Sequence, residues 1–141
     1  MAKVKTAECL FCQIIRGDVP AQVVFSDTDS IAILDYRPVF HGHVLLLPKA
    51  HHATFPELPA DLIQPLFFNA QQLVMAVQKA MQADGTFVAM NNTVSQSVPH
   101  LHIHIVPRKK KDGLRGFFWP LKKYADQSDM STVAERIRQC L

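Results

Sequence analysis

Pro99-His100-Leu101-His102-Ile103-His104-Ile105-Val106-Pro107 is the stretch on which the reading of this chain turns. Side chains alternate between the two faces of a strand. His100, His102 and His104 therefore share one face, while Leu101, Ile103 and Ile105 share the other and read as core. Successive histidines stand about 6.5–7 Å apart along an extended strand. That is too far for direct mutual hydrogen bonds and right for gripping one extended ligand or a metal. Zinc enzymes also place ligands at alternate strand positions, so metal binding is the rival reading. Neutral imidazole is a capable nucleophile at neutral pH, because its unperturbed pKa is near 6.5. Attack on phosphorus by one ring nitrogen needs the other nitrogen's proton held by an acceptor, and donors around the non-bridging oxygens. Ser95, Gln96 and Ser97 lie just upstream. His102, with a histidine on either side, is the natural attacking group.

Working outward, Thr86–Met90 is a further strand and Leu62–Ala83 the clearest helix. Leu66, Ala70, Leu73, Val77 and Ala80 recur at steps of four and three, which makes one helical face. Pro65 is tolerable only in the first turn of that helix, and Asp84-Gly85 stops it. His43–Leu47 is nearly all apolar and reads as a strand covered on both faces. Arg37–Gly42 before it is a loop. Val23–Ser26 and Ser30–Leu34 form a hairpin about Asp27-Thr28-Asp29. A last helix is expected over Thr132–Leu141 with Ser131 as its N-cap. The pattern predicts an α+β fold: an antiparallel sheet of about five strands, one long helix and a C-terminal helix. Pro and Gly are scattered rather than gathered into a linker, so residues 1–141 are expected to form a single domain.

The composition excludes several classes. Of 141 residues, 48% are hydrophobic and 19% charged, which is not the balance of a disordered chain. The apolar stretches are too short and interrupted for a membrane-spanning helix. The basic start, Met1–Thr6, is not followed by an apolar segment, so a cytoplasmic protein is expected. The net charge of +3 does not demand a nucleic-acid partner. The run Arg108-Lys109-Lys110-Lys111, with Arg115, Lys122 and Lys123 behind it, reads either as a solvated loop or as an attraction for a nucleotide's phosphates. Cys9, Cys12 and Cys140 make no disulfide framework in such a compartment. Cys9-Leu10-Phe11-Cys12 alone is open between redox, metal and buried-thiol readings. Phe117, Phe118 and Trp119 read as packing or as a lid over a base.

The segment Ser95–Arg108 resembles the signature of the histidine triad (HIT) family of nucleotide hydrolases and transferases. The likeness extends to Ile31–Pro38, to Gly42–Lys49 and to Asp112–Pro120, the last similar to a bacterial-type branch carrying an N-terminal Cys-x-x-Cys. The resemblance implies that His102 is the nucleophile that attacks an α-phosphorus. It implies that His104 stands beside the phosphate and leaving group, and that His43 is a fourth histidine behind the triad. By the same likeness, Gln96 and Ser97 hold phosphate oxygens or pass a proton to the leaving group. Leu34 would contact the purine and Asp35 the ribose, and Asn91 or Asn92 would reach the phosphate or ribose. Read alone, Asp35, Asn91 and Asn92 are equally turn residues, and His43 is equally a satisfied core histidine. The resemblance further implies a structural zinc site of Cys9, Cys12, His51 and His100, with His52 able to stand in for His51. The sequence departs from the family in having Ser95 where Gly is usual and His41 where Pro is common.

The resemblance thus implies cleavage of adenylated compounds, either nucleoside phosphoramidates or dinucleoside polyphosphates. The cleavage passes through a covalent nucleotidyl-histidine and needs no metal in the chemistry. An AMP-type purine nucleotide is the expected ligand, and a homodimer the expected assembly. His104 argues against the uridylyltransferase branch, which carries Gln there. The rival expectations are a zinc-dependent hydrolase ligated by the triad and a non-catalytic nucleotide-binding module.

Overall fold

A computed structural model describes residues 9–115 and 121–141. The elements, in order, are α1 (Leu10–Arg16), β1 (Val23–Ser26), β2 (Ser30–Leu34), β3 (Val44–Pro48), a 3-10 turn (Phe55–Glu57), α2 (Ala60–Ala80), β4 (Gly85–Ala89), β5 (Ile103–Arg108) and α3 (Gln127–Gln139). The five strands make one antiparallel sheet in the order β1-β2-β3-β5-β4. This is the α+β architecture the sequence predicts.

The two faces of the sheet are treated differently, and that difference creates the site. Leu66, Ala70, Leu73 and Val77 of α2 pack on Ala32, Val44, Leu46, Leu101, Ile103 and Ile105. On the opposite face, Cys9, Phe11 and Cys12 cover Ile31, Ile33, Leu45 and Leu47 of β2 and β3. Strands β2 and β3 are thereby buried on both sides. His104 lies directly opposite Leu45 on one neighbour and Ala89 on the other. Opposed residues of a ladder share a face, so His104 stands on the face that α1 covers only in part. The half of that face on β4 and β5 carries the histidines.

Several boundaries differ from the sequence reading. The sequence pattern does not predict helix α1; seven residues are too few to show a helical period, and its punctuation is Gly17, which closes it at φ +82°. Helix α2 begins at Ala60, so Pro65 lies in its second turn, where no N–H can bond the Asp61 carbonyl. The buried stripe on the sheet outweighs that lost bond. Helix α3 starts at Gln127 and not at Thr132. The Asp126 carboxylate accepts from the Asp129 N–H at 2.8 Å, and Asp129 accepts from the Ala125 N–H at 3.1 Å. That cap overrides Ser131. Strand β5 starts at Ile103 because the Leu101 N–H is taken by the His52 carbonyl at 2.7 Å. Phe117, Phe118 and Trp119 lie outside the described residues.

Two turns set the rim of the open face. Gly42 sits at φ +93°, and a Cβ there would meet Met81 Cγ at 2.5 Å, so only glycine delivers His43 on this path. Thr93 and Ser95 both adopt left-handed backbone, at φ +70° and +59°. Ser95 therefore occupies, under strain, the conformation that a glycine takes freely.

Candidate active site

His102 is buried, 4% exposed, and its ring is held from three sides. Nδ1 lies 2.7 Å from the carbonyl oxygen of His100. A carbonyl only accepts, so Nδ1 carries the proton and Nε2 is left with its lone pair. The edge of Phe11 from α1 packs against the ring at 5.1 Å, and His104 lies 5.0 Å away on the other side. These rings are closer than the 6.5–7 Å of a regular strand, because His102 precedes β5.

His104 is oriented by a second chain of bonds. The Val39 N–H donates to His43 Nδ1 at 3.1 Å, which places the His43 proton on Nε2. That proton is donated to His104 Nδ1 at 3.0 Å, leaving the His104 proton on Nε2. Main-chain atoms thus dictate complementary tautomers: a bare nitrogen on His102 and a donor on His104. Burial pushes the His104 pKa down to about 4, helped by the neighbouring His102 and His43 and opposed by Asp35. Burial also lowers that of His43, with Asp35 opposing.

These shifts make stability depend on pH. Folding favours the neutral rings, so the unfolded chain binds the protons first. The stability contributed by His104 is complete above its ordinary value of 6.5 and is lost as pH falls from there to about 4. Urea unfolding at a series of pH values is expected to show a shallower decline in His104→Gln than in the parent. Identical slopes would contradict the assignment.

The remaining residues singled out from the sequence divide. Asp35 accepts the Arg37 N–H at 2.9 Å and holds its second oxygen 3.7 Å from His43 Nδ1. Leu34 beside it is 39% exposed. Asn91 is exposed and lines a cavity with His43 and His104. Asn92 instead holds the Phe55 N–H at 2.7 Å. The Gln96 amide braces its own loop, accepting the Thr93 N–H at 3.0 Å and donating to the Ala53 carbonyl. Ser97 is exposed on that loop. Phe11 and Val39 escape the sequence reading. The only signal for Phe11 is its place inside Cys-x-x-Cys, and Val39 acts through its backbone, which no side-chain pattern reports.

Cys9, Cys12, His51 and His100 bring their ligand atoms within 4.8 Å of one another. Tetrahedral zinc, with sulfur at about 2.3 Å and nitrogen at about 2.0–2.1 Å, sets ligand-to-ligand edges of about 3.3–3.8 Å. The His100 Nδ1 stands 3.5 Å from Cys9 Sγ, 3.6 Å from Cys12 Sγ and 3.2 Å from His51 Nδ1, and the last is 3.2 Å from Cys12 Sγ. His100 Nε2 donates to the Pro48 carbonyl at 2.8 Å, which aims the Nδ1 lone pair into the cluster. Burial pushes the His100 pKa down to about 4, so the ring is neutral as a ligand requires. Burial, with Cys9 adding to it, pushes the Cys12 thiol up to about 11, so a metal ion would displace protons as it binds. The residues fit a Cys₂His₂ metal site, and His52 is outside it. Asp35, His43 and His104 also lie within 4.8 Å. Both His43 nitrogens and His104 Nδ1, however, are taken up by Val39 and by each other.

The sheet, the long helix behind it and three histidines rising from one strand's approach define a chain of the HIT domain family. The family model matches residues 16–111, and the chain belongs to that family. Over 76% of its length it is 37% identical to an Arabidopsis thaliana protein named adenylylsulfatase HINT3, and it spans 55% of that relative. The adenosine 5'-monophosphoramidase HNT1 of Saccharomyces cerevisiae is 33% identical, with 96% of this chain and 82% of the relative covered. The crystal structure of a Bacillus subtilis member of the family superposes with a TM-score of 0.86 at 32% identity, covering 95% of this chain and 97% of that one.

Proposed function

We propose that the chain is a nucleotide hydrolase or nucleotidyl transferase. It cleaves adenylated compounds at the α-phosphorus through a covalent nucleotidyl-His102. The observation that carries this reading is the bond from His102 Nδ1 to the His100 carbonyl, which leaves Nε2 unprotonated. The relatives' names support it: one is an adenylylsulfatase and another an adenosine monophosphoramidase, so the adenylyl half recurs while the other half changes.

With a phosphoramidate, His102 Nε2 donates its pair to phosphorus, and the developing positive charge is carried through Nδ1–H to the His100 carbonyl. The P–N bond breaks with its electron pair going to nitrogen, which takes a proton from the Ser97 hydroxyl, resupplied by solvent. His104 Nε2–H donates to a non-bridging oxygen as charge builds there. Water then attacks phosphorus and gives up a proton to solvent, balancing the one solvent returned to Ser97, while the P–Nε2 pair returns to His102 and AMP leaves. Leu34 and Asp35 hold the purine and ribose, Asn91 reaches the phosphate, and Gln96 supports it through the loop that carries Ser97.

Cys9, Cys12, His51 and His100 would hold zinc as a structural ion. The ion would tie the N-terminal segment to the sheet and steady the residue whose carbonyl orients His102, with no step taking place on it. The same reading takes residues 1–141 as one domain acting in the cytoplasm as a homodimer. The edge position of β4 and the exposed Phe67, Phe68, Met75 and Val88 support a homodimer. The experiment is release of AMP from adenosine 5'-phosphoramidate by the purified chain, with His102→Ala as the inactive partner.

A further inference from the structure

A cavity of about 440 Å³ opens on the side of the sheet away from the three histidines. Pro107 in its lining lies two residues beyond Ile105, which packs under α2, so alternation along β5 puts Pro107 on the α2 face. Met81, which closes α2, joins Val39 and Phe40 in completing an apolar lining. Three further side chains are ionisable: His41, Lys109 and Asp112. The Asp112 carboxylate is spent. It accepts Arg108 Nε and Nη2 at 2.6 and 3.1 Å, the Lys109 N–H at 3.1 Å and the Leu114 N–H at 3.0 Å. Lys109 and His41 are exposed, and neither side chain has an anionic partner among the described residues. The same loop backs the catalytic face. The Val39 N–H holds His43 Nδ1 at 3.1 Å, and the Phe40 carbonyl accepts the His43 N–H at 3.1 Å. Gly42 is pressed on Met81 and Pro107, where a Cβ would stand 2.5 and 3.3 Å from their side chains. One short loop is thus both a wall of this cavity and the support of the His43–His104 pair.

We propose that this cavity is a second binding site, for a nucleoside monophosphate, and that its occupant slows turnover through the loop at 39–42. The inference rests on the nucleotidyl-histidine reading, whose product is of that class. The volume suits a ligand of this size. The Met81 thioether, Phe40 and Pro107 offer a surface for a flat base. Lys109 and His41 offer the phosphate a charge-assisted donor and an imidazole donor, and the carboxylate in the lining is already neutralised by Arg108. A ligand drawn onto Val39 and Phe40 pulls their backbone against the bonds to His43. A His43 ring released by the Val39 N–H no longer fixes the proton of His104 on Nε2. A nucleotide bound at the catalytic histidines only competes with substrate, whereas one bound here also lowers kcat.

The test uses AMP as the probe, on the parent chain and on Lys109→Gln. Binding is followed at the Met81 methyl resonance, identified by its loss in Met81→Leu, and inhibition is followed in turnover. In the parent, AMP is expected to shift that resonance saturably and to inhibit in a mixed pattern. Because Lys109 is solvent-exposed, Lys109→Gln is expected to weaken the Met81 titration by about fivefold. The inhibition constant acting on kcat should rise by the same factor, while the competitive constant and kcat/KM without AMP stay unchanged. Purely competitive inhibition in the parent, a Met81 methyl that does not move, or either effect unaltered in Lys109→Gln overturns the proposal and leaves the nucleotidyl-histidine reading intact. A Met81 shift produced equally well by adenosine, which lacks the phosphate, also overturns it. A chain that releases no AMP from any adenylated substrate overturns both readings.

Discussion

Replacement of His102 by alanine is expected to lower AMP release from an adenylated substrate by at least about 10⁴-fold, the scale on which covalent enzymes lose activity with their nucleophile. Among the described residues, nothing else on the open face can substitute. His104 presents a proton, not a lone pair, toward the cleft, and the His43 nitrogens are both bonded. The fold is expected to survive. The variant leaves the His100 carbonyl without its donor and opens a small space beside Phe11, which together cost about 1–3 kcal/mol. A thermal melt lowered by only a few degrees, together with activity at background, is the expected pair of results. Retention of a tenth of the activity would remove His102 from the role assigned to it.

Cys12→Ser is expected to abolish binding of one zinc equivalent and to lower the melting temperature by about 10 °C or more. A metal present at a thousandfold its dissociation constant stabilises a fold by about 4 kcal/mol, and each kcal/mol moves the melt of a chain this size by roughly 2–4 °C. The effect on turnover is expected to be smaller than that of His102→Ala. The loss acts at one remove, through His100, whose Nδ1 faces the cluster and whose carbonyl holds His102, and through Phe11, which lies between the two cysteines and packs on the His102 ring. Metal content by mass spectrometry of the intact protein, melting temperature and kcat, measured on the same sample, separate the two roles. Brief chelation that stops turnover at once without lowering the melt would place the metal in the chemistry.

Much of the sheet and of α2 is legible in the residues because the side chains involved announce themselves. Alternating histidines between Pro99 and Pro107, the apolar run at Val44–Leu47 and the Leu66–Val77 stripe each express a single periodicity. The metal cluster is reached only through resemblance. Cys9, His51 and His100 stand far apart along the chain, and no local pattern joins them. What escapes is set by the main chain. The His102 tautomer depends on a carbonyl two residues earlier, that of His43 on the Val39 N–H, and the start of β5 on a bond between Leu101 and His52. Short elements with strong caps, α1 and the first turn of α3, are hidden for a related reason. A seven-residue helix shows no period, and an Asp126–Asp129 cap outcompetes a serine that looks equally suitable.

The central claim is that His102 Nε2 bonds to phosphorus during turnover. Mixing the protein with a slowly hydrolysed adenylated substrate, quenching, and digesting under mildly alkaline conditions is expected to give one peptide spanning His100–Arg108. That peptide should be heavier by an adenylyl group, with fragmentation placing the mass on His102 and a phosphorus resonance in the phosphoramidate range. Release of AMP with no such adduct at any time before the steady state, or an adduct on a residue other than His102, would contradict the claim.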